Sequence, residues 1–171
     1  SGHSIGEYAA VVTQGAMGFA DALKAVRLRG QFMQEAVPEG EGAMVAAMGL
    51  SPEQAVEVCK WAEAETGLSP IEPANYNAPG QIVLSGKQTL VKFICENFKP
   101  EVLSTAVKRA KFIPLKVSAP FHCSLMKPAE EKMALILGDI DFKDTKTPII
   151  QNVCAKAVTA SSDLRNNLIS Q

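Results

Sequence analysis

The chain has 171 residues, 47% hydrophobic and 20% charged, with a formal net charge of −1. That is the composition of a globular chain of one large or two small domains. The balanced charge argues against general nucleic-acid or membrane-surface binding, and the longest apolar runs, such as Ala43 to Leu50, are far short of a membrane span.

The chain opens on SGHSIGEY, which frames Ser4 as Gly2-His3-Ser4-Ile5-Gly6. G-x-S-x-G is the pattern of a nucleophile elbow, a sharp strand-to-helix turn whose glycines allow close backbone approach around a strained serine. The helix side follows. Ile5 to Gln14 is apolar and Ala-rich and ends at Gly15, a natural terminator. A second helix is expected from about Phe19 to Val37, stopped by Pro38. The turn-rich PEGEG at Pro38 to Gly42 marks a candidate boundary. GAMVAAMGL predicts a strand. Ser51 is a good N-cap with Pro52 behind it, for a helix that Gly67 ends. NYNAPGQIVLSG predicts a loop or turn around Pro79-Gly80 and a strand from Gln81 to Ser85. KQTLVKFICENF predicts a helix, and KFIPLKVSAPF a strand entering a proline-containing loop. If PIEPAN supplies one more strand, this stretch reads β-α-β-β-α-β, a ferredoxin-like order. Then come a helix from about Leu125 to Leu137, a strand at PIIQNV and a final helix from about Ser162. The expected architecture is therefore α/β, with a ferredoxin-like subdomain at 42–117 threaded into a larger discontinuous domain formed by 1–41 and 118–171.

A neutral serine needs a base. The chain has two histidines. His3 adjoins Ser4 and would diverge from it, which leaves His122, in SAPFHCSLM, or a structural role for that residue. Cys123 is a rival nucleophile, but its adjacency to His122 makes pairing awkward. Cys59, Cys95, Cys123 and Cys154 are widely spaced, which argues against a metal site and for reduced thiols. On the second helix, Phe19, Ala22, Leu23, Val26, Gly30, Met33 and Val37 fall on one arc at about 100° per residue. Arg29 lies near the edge of that side, beside Ala22, Ala25 and Phe32. A buried cation needs a partner: an internal salt bridge, perhaps to a Glu, or the carboxylate of a ligand held by the guanidinium fork.

Taken together, GHSIGEYAA, RLRGQFMQEAVPEGEGAMVAAMGL, NYNAPGQIVLSG and VSAPFHCSLMKPA, in that order, resemble the malonyl-CoA:acyl carrier protein transacylase family of fatty acid synthesis. The resemblance covers the whole chain. It implies an α/β-hydrolase-like core with the ferredoxin-like insertion, a cytoplasmic enzyme, and no metal or redox cofactor. By position, Ser4 corresponds to the nucleophile and His122 to its base. Arg29 corresponds to the residue that binds the malonyl carboxylate. Gln171 matches a glutamine whose backbone carbonyl orients the histidine. Asn75, Asn77 and Gln81 would lie near the coenzyme or acyl site. The family's Gly/Gln-rich N-terminal segment and the strand entering the elbow have no counterpart here, nor do its sheet and helix after the position of Gln171. The chain thus reads as an internal part of the family's length, expected to be aggregation-prone and nearly inactive alone.

The implied reaction is ping-pong acyl transfer. Ser4 attacks the thioester while His122 takes its proton, the Ile5 N–H helps hold the oxyanion, and the acyl group passes to the pantetheine thiol of acyl carrier protein. Lys108, Arg109, Lys111 and Lys116 form a basic run that is either a solvated face or a steering patch for that acidic carrier. Phe121 beside His122 weakly favours an unbranched malonyl group. Two other classes stay open. One is a serine esterase or thioesterase, with Glu96 or Glu101 as the acid of its triad. The other is a non-catalytic acyl- or protein-binding module.

Overall fold

The computed structural model describes residues 1–107 and 109–171. They divide into two compact units, Ser1–Phe32 with Pro128–Gln171, and Met33–Lys127. The sequence expectation placed the inserted unit at 42–117; the observed division falls instead inside a helix and just after Lys127. Among the described residues, no helix is long and apolar enough to cross a membrane.

The second unit is built on a four-stranded antiparallel sheet of β1 (Gly42–Met48), β2 (Ile71–Ala78), β3 (Gln81–Lys87) and β4 (Lys111–Pro114), in the order β2-β3-β1-β4. Between the strands run α3 (Pro52–Thr66) and α4 (Gln88–Asn97). α3 begins as the sequence predicts. Ser51 caps it in a reciprocal capping box with Gln54, Pro52 takes the first turn, and Gly67 closes it in the left-handed conformation. Val45 and Ala47 of β1 and Ile82 and Leu84 of β3 share a core with Ala55, Val58 and Ala62 of α3 and Leu90 and Ile94 of α4. Strand alternation puts those β residues on the helix-covered face. Trp61, Phe93, Phe98 and Phe112 close the edge of this core with edge-to-face and tilted ring contacts.

One segment departs from expectation. NYNA is not a loop: β2 continues through Asn75, Tyr76 and Asn77 before the Pro79-Gly80 turn, with irregular register at Pro73/Asn75 and Tyr76/Ala78. β2 is an edge strand, where a proline such as Pro73 and local irregularity cost little pairing. Gly80 has φ 74°, the value that a turn with proline at its second position asks of its third.

The first unit packs α1 (Ile5–Thr13), the start of α2 (Phe19–Ala36), α5 (Lys127–Gly138) and α6 (Ser161–Ile169) around Tyr8, Val11, Ala25, Met133, Leu137, Ile149, Leu164 and Leu168. The strand expected at PIIQNV shrinks to β5 (Ile149–Ile150), paired with β6 (Ala157–Val158). It stops because the chain folds back right after Gln151, with the Gln151 N–H donating to the Lys156 carbonyl at 3.2 Å and the Ala155 N–H donating to the Gln151 carbonyl at 2.9 Å. The expected apolar arc of α2 holds only in part. Ala22, Ala25 and Met33 are buried, whereas Phe19 is 72% and Leu23 61% exposed. The stripe 22-25-29-33 follows the helical 3–4 spacing, so Arg29 lies within the buried stripe and not at its edge.

Candidate active site

Ser4 stands immediately before α1 with φ 50° and ψ −113°. A side-chain-bearing residue seldom adopts this backbone, and such strain clusters at functional turns. Of the two flanking glycines, Gly2 carries the steric need, since a Cβ there would collide with the Gly6 carbonyl. A Cβ on Gly6 meets nothing within 4 Å. The Ser4 carbonyl accepts the Glu7 N–H at 2.9 Å, so the serine is both turn and helix start. Ile5 is the first residue of α1. Its N–H belongs to the set that a helix leaves without an intrahelical acceptor, where negative charge is favoured.

The Arg29 guanidinium donates from Nη2 to Ser4 Oγ at 3.0 Å and to Gln171 Oε1 at 3.2 Å, and lies 5.9 Å from the centre of the Tyr8 ring. Gln171 Nε2 in turn donates to Glu7 Oε2 at 3.1 Å. The carboxamide of Gln171 thus stands between a cation and a carboxylate, and among the described residues Arg29 makes no direct ion pair. Burial lowers the Arg29 pKa from its usual value, opposed by Tyr8 and Glu7. The guanidinium remains a cation all the same. Burial pushes the Tyr8 hydroxyl up to about 12, so it stays neutral beside Arg29.

Glu7 is the residue that sequence reasoning missed. It is fully buried. Its carboxylate accepts from Gln151 Nε2 at 3.0 Å and from the Asn152 backbone N–H at 2.7 Å, besides Gln171. Burial raises its pKa, and those hydrogen bonds pull the other way. Gln151 is held by the Leu164 carbonyl at 3.1 Å and by Asn167 Nδ2 at 2.7 Å. A signal for Glu7 was present: it lies one helical turn before Val11, on the face that α1 buries with Tyr8 and Val11. Gln151 and Asn152 gave none, because they sit in what looked like a strand.

The structure gathers Ser4, Ile5, Arg29 and Gln171 within the first unit. The other expected residues belong to the second. His122 has φ 60° and lies on a loop that the second unit anchors at both ends. Leu115 N–H bonds the Met44 carbonyl at 3.0 Å, and Ser124 N–H bonds Glu72 Oε2 at 2.7 Å. Asn75 and Asn77 lie on β2, and Gln81 opens β3. Arg109, Lys111 and Lys116 are exposed; Lys108 lies outside the described residues. No group of His, Cys, Asp and Glu among the described residues could hold a metal ion.

A strained serine opening a helix, with a guanidinium on its hydroxyl, can host acyl transfer through serine. The chain belongs to the acyl transferase domain family, whose profile matches residues 1–166. It is 46% identical over 171 residues to the malonyl CoA-acyl carrier protein transacylase of Bacillus subtilis, covering all of this chain and 51% of that protein. To the enzyme of the same name from Escherichia coli K12 it is 43% identical, covering 52% of that protein. The crystal structure of FabD from Acinetobacter baumannii superposes with a TM-score of 0.89 at 45% identity, over 99% of this chain and 51% of that one. A malonyl-transacylase solved in complex with its type II PKS acyl-carrier protein gives 0.85 at 39% identity, over 98% and 52%. The α/β architecture is thus that of these structures, and the chain spans about half the length of the relatives it matches.

Proposed function

We propose that the protein transfers a malonyl group from coenzyme A to acyl carrier protein through an acyl-serine at Ser4. The observation that carries this reading is the pairing of the strained Ser4 with the Arg29 guanidinium 3.0 Å from its Oγ. A malonyl group on Oγ would bring its free carboxylate into the reach of that fork, and a planar guanidinium holds a carboxylate through two parallel hydrogen bonds. His122 acts as the base that takes the serine proton, and the Ile5 N–H stabilises the oxyanion. Asn75, Asn77 and Gln81 contact the coenzyme or acyl group, and Gln171 steadies Arg29. The reaction needs no metal or redox cofactor, and the compartment is cytoplasmic. The exposed Arg109, Lys111 and Lys116 meet the acidic carrier. The names of the relatives and the carrier complex support this reading. For the fold, the reading is a hydrolase-like core with a ferredoxin-like insertion. The alternating elements and the order β2-β3-β1-β4 support the latter.

Intact-mass spectrometry of the full-length protein mixed with malonyl-CoA tests the proposal. One malonyl adduct on Ser4, discharged by a pantetheine thiol faster than by water, is the expected result. Discharge to water alone would make it a hydrolase. No adduct would make it a binding module.

A further inference from the structure

The turn at Asn152 has no part in the chemistry above, yet its side chain meets the elbow directly. Asn152 Oδ1 accepts the Ser4 N–H at 2.8 Å, and its Nδ2 donates to the Gly2 carbonyl at 2.7 Å. One carboxamide therefore closes on both ends of the Gly2-His3-Ser4 turn. The contact needs an acceptor and a donor on the same planar group, which an amide side chain offers and a carboxylate or hydroxyl does not in this geometry. The Asn152 side chain is reachable by solvent, so its hold depends on a fixed backbone. That is supplied from inside: the Asn152 N–H donates to Glu7 Oε2 at 2.7 Å, on a carboxylate that is fully buried and itself bound by Gln151. A backbone such as that of Ser4 persists only where its surroundings over-determine it.

We propose that Asn152 is a positioning residue for Ser4, its carboxamide clamping the elbow so that Oγ is aimed at the acyl carbon, with Glu7 locking the clamp. This rests on the reading of Ser4 as an acyl-accepting nucleophile. In the step it serves, the Oγ–acyl bond forms as the thioester C–S bond breaks. The hydroxyl proton passes to the base and on to the departing thiolate. Misaiming Oγ slows that step without weakening the hold on the substrate, because Asn152 contacts the turn and Arg29 the carboxylate.

The test uses the full-length protein, wild type, Asn152→Ala and the isosteric Asn152→Asp. Single-turnover formation of the acyl-serine is followed over a range of malonyl-CoA concentrations. Labelling of Ser4 by a fluorophosphonate, which needs no malonyl recognition, and a melting curve are recorded beside it. Both variants are expected to lose about 10- to 100-fold in the maximal acylation rate and in labelling, with the half-saturating concentration little changed. Wild-type rates in a folded Asn152→Asp, with or without a lower melting temperature, would overturn the proposal. So would a loss confined to half-saturation. If Asn152→Ala does not fold, the isosteric variant decides. A wild type that takes the fluorophosphonate but no malonyl group would defeat the transfer reading, and labelling would still decide the clamp. A wild type that takes neither defeats both.

Discussion

The two units solve opposite problems. In the second, the interior is mostly apolar: Val45, Leu84, Leu90 and Ile94 are completely shielded, its buried polar side chains are the neutral Ser85 and Gln54, and among the described residues it buries no carboxylate. In the first, the interior also holds Glu7 and Gln151 with no exposed surface, next to a half-buried Arg29. Burying such groups costs stability unless every lone pair and proton is met. Here Asn152, Asn167, Gln171 and the Leu164 carbonyl bond Glu7 and Gln151, and Ser4 and Gln171 accept from Arg29. The contrast teaches that one unit spends its interior on stability and the other on geometry. Substitutions should then fail in different ways.

The largest effect expected is at the turn itself. Ser4→Ala should remove the acyl adduct and lower kcat on the order of 10⁴- to 10⁶-fold, with a melting temperature near wild type. Turnover within tenfold of wild type would break the comparison at its root.

Next is Arg29→Ala. Removing one member of a buried charge pair costs about 2–5 kcal/mol, or roughly 30- to several-thousand-fold in kcat/KM for malonyl-CoA. Acetyl-CoA, which has no free carboxylate, should react as well or better. If the arginine is instead a structural tie to Gln171 and Glu7, both substrates suffer alike and the melting temperature falls. Comparing kcat/KM for the two thioesters, with melting curves, separates these outcomes.

The second unit should show the reverse pattern. Leu84→Ala opens a cavity in a closed apolar core and should cost about 2–5 kcal/mol of stability, read by urea unfolding. The malonyl-to-acetyl preference should stay as it is. A changed preference would mean that the dry core also shapes the site.

Acid titration sharpens the contrast through its sign. Glu7 has a folded pKa raised by burial above the ordinary 4.5, so the folded state holds that proton more tightly than the unfolded one. Glu7 subtracts stability at neutral pH, and the deficit disappears as pH falls through the raised value toward 4.5. Glu57 in the second unit is the opposite case. Hydrogen bonds from the Ser104 hydroxyl and N–H lower its pKa, so its contribution is present above 4.5 and lost as pH falls through the depressed value. The gap in unfolding free energy between wild type and Glu7→Gln should move toward the wild type on acidification, and the gap to Glu57→Gln away from it. Two gaps of the same sign would show that the buried Glu7 and the surface Glu57 are not held in the opposite ways described.

The smallest effect expected is local. Ser51→Ala removes the capping box of α3 and should cost about 1 kcal/mol, visible in the unfolding midpoint and absent from kcat.

Much of this was legible before folding, because it is written in neighbours along the chain. The cap at Ser51, the stop at Gly67, the turn at Pro79-Gly80 and the serine turn itself need only a few consecutive residues, whose steric limits are local. Helical spacing likewise placed Arg29 on the apolar side of α2, although the arc it chose is buried only in part: Ala22, Met33 and Val37 lie inside while Phe19 and Leu23 do not, because periodicity ranks faces by composition and packing decides. The continuation of β2 through NYNA was hidden because edge pairing to β3, and not β propensity, holds those residues extended. Tertiary structure alone decided the inside of the site. Glu7 and Asn152 are 145 positions apart, and Arg29 and Gln171 are 142. A hydrogen bond between such residues depends on distances of about 3 Å that no local pattern encodes. The sequence by itself determined which turn is strained and where a cation lies along its helix; only the fold determined which buried groups hold them, since satisfying a buried charge is a property of the whole surrounding shell.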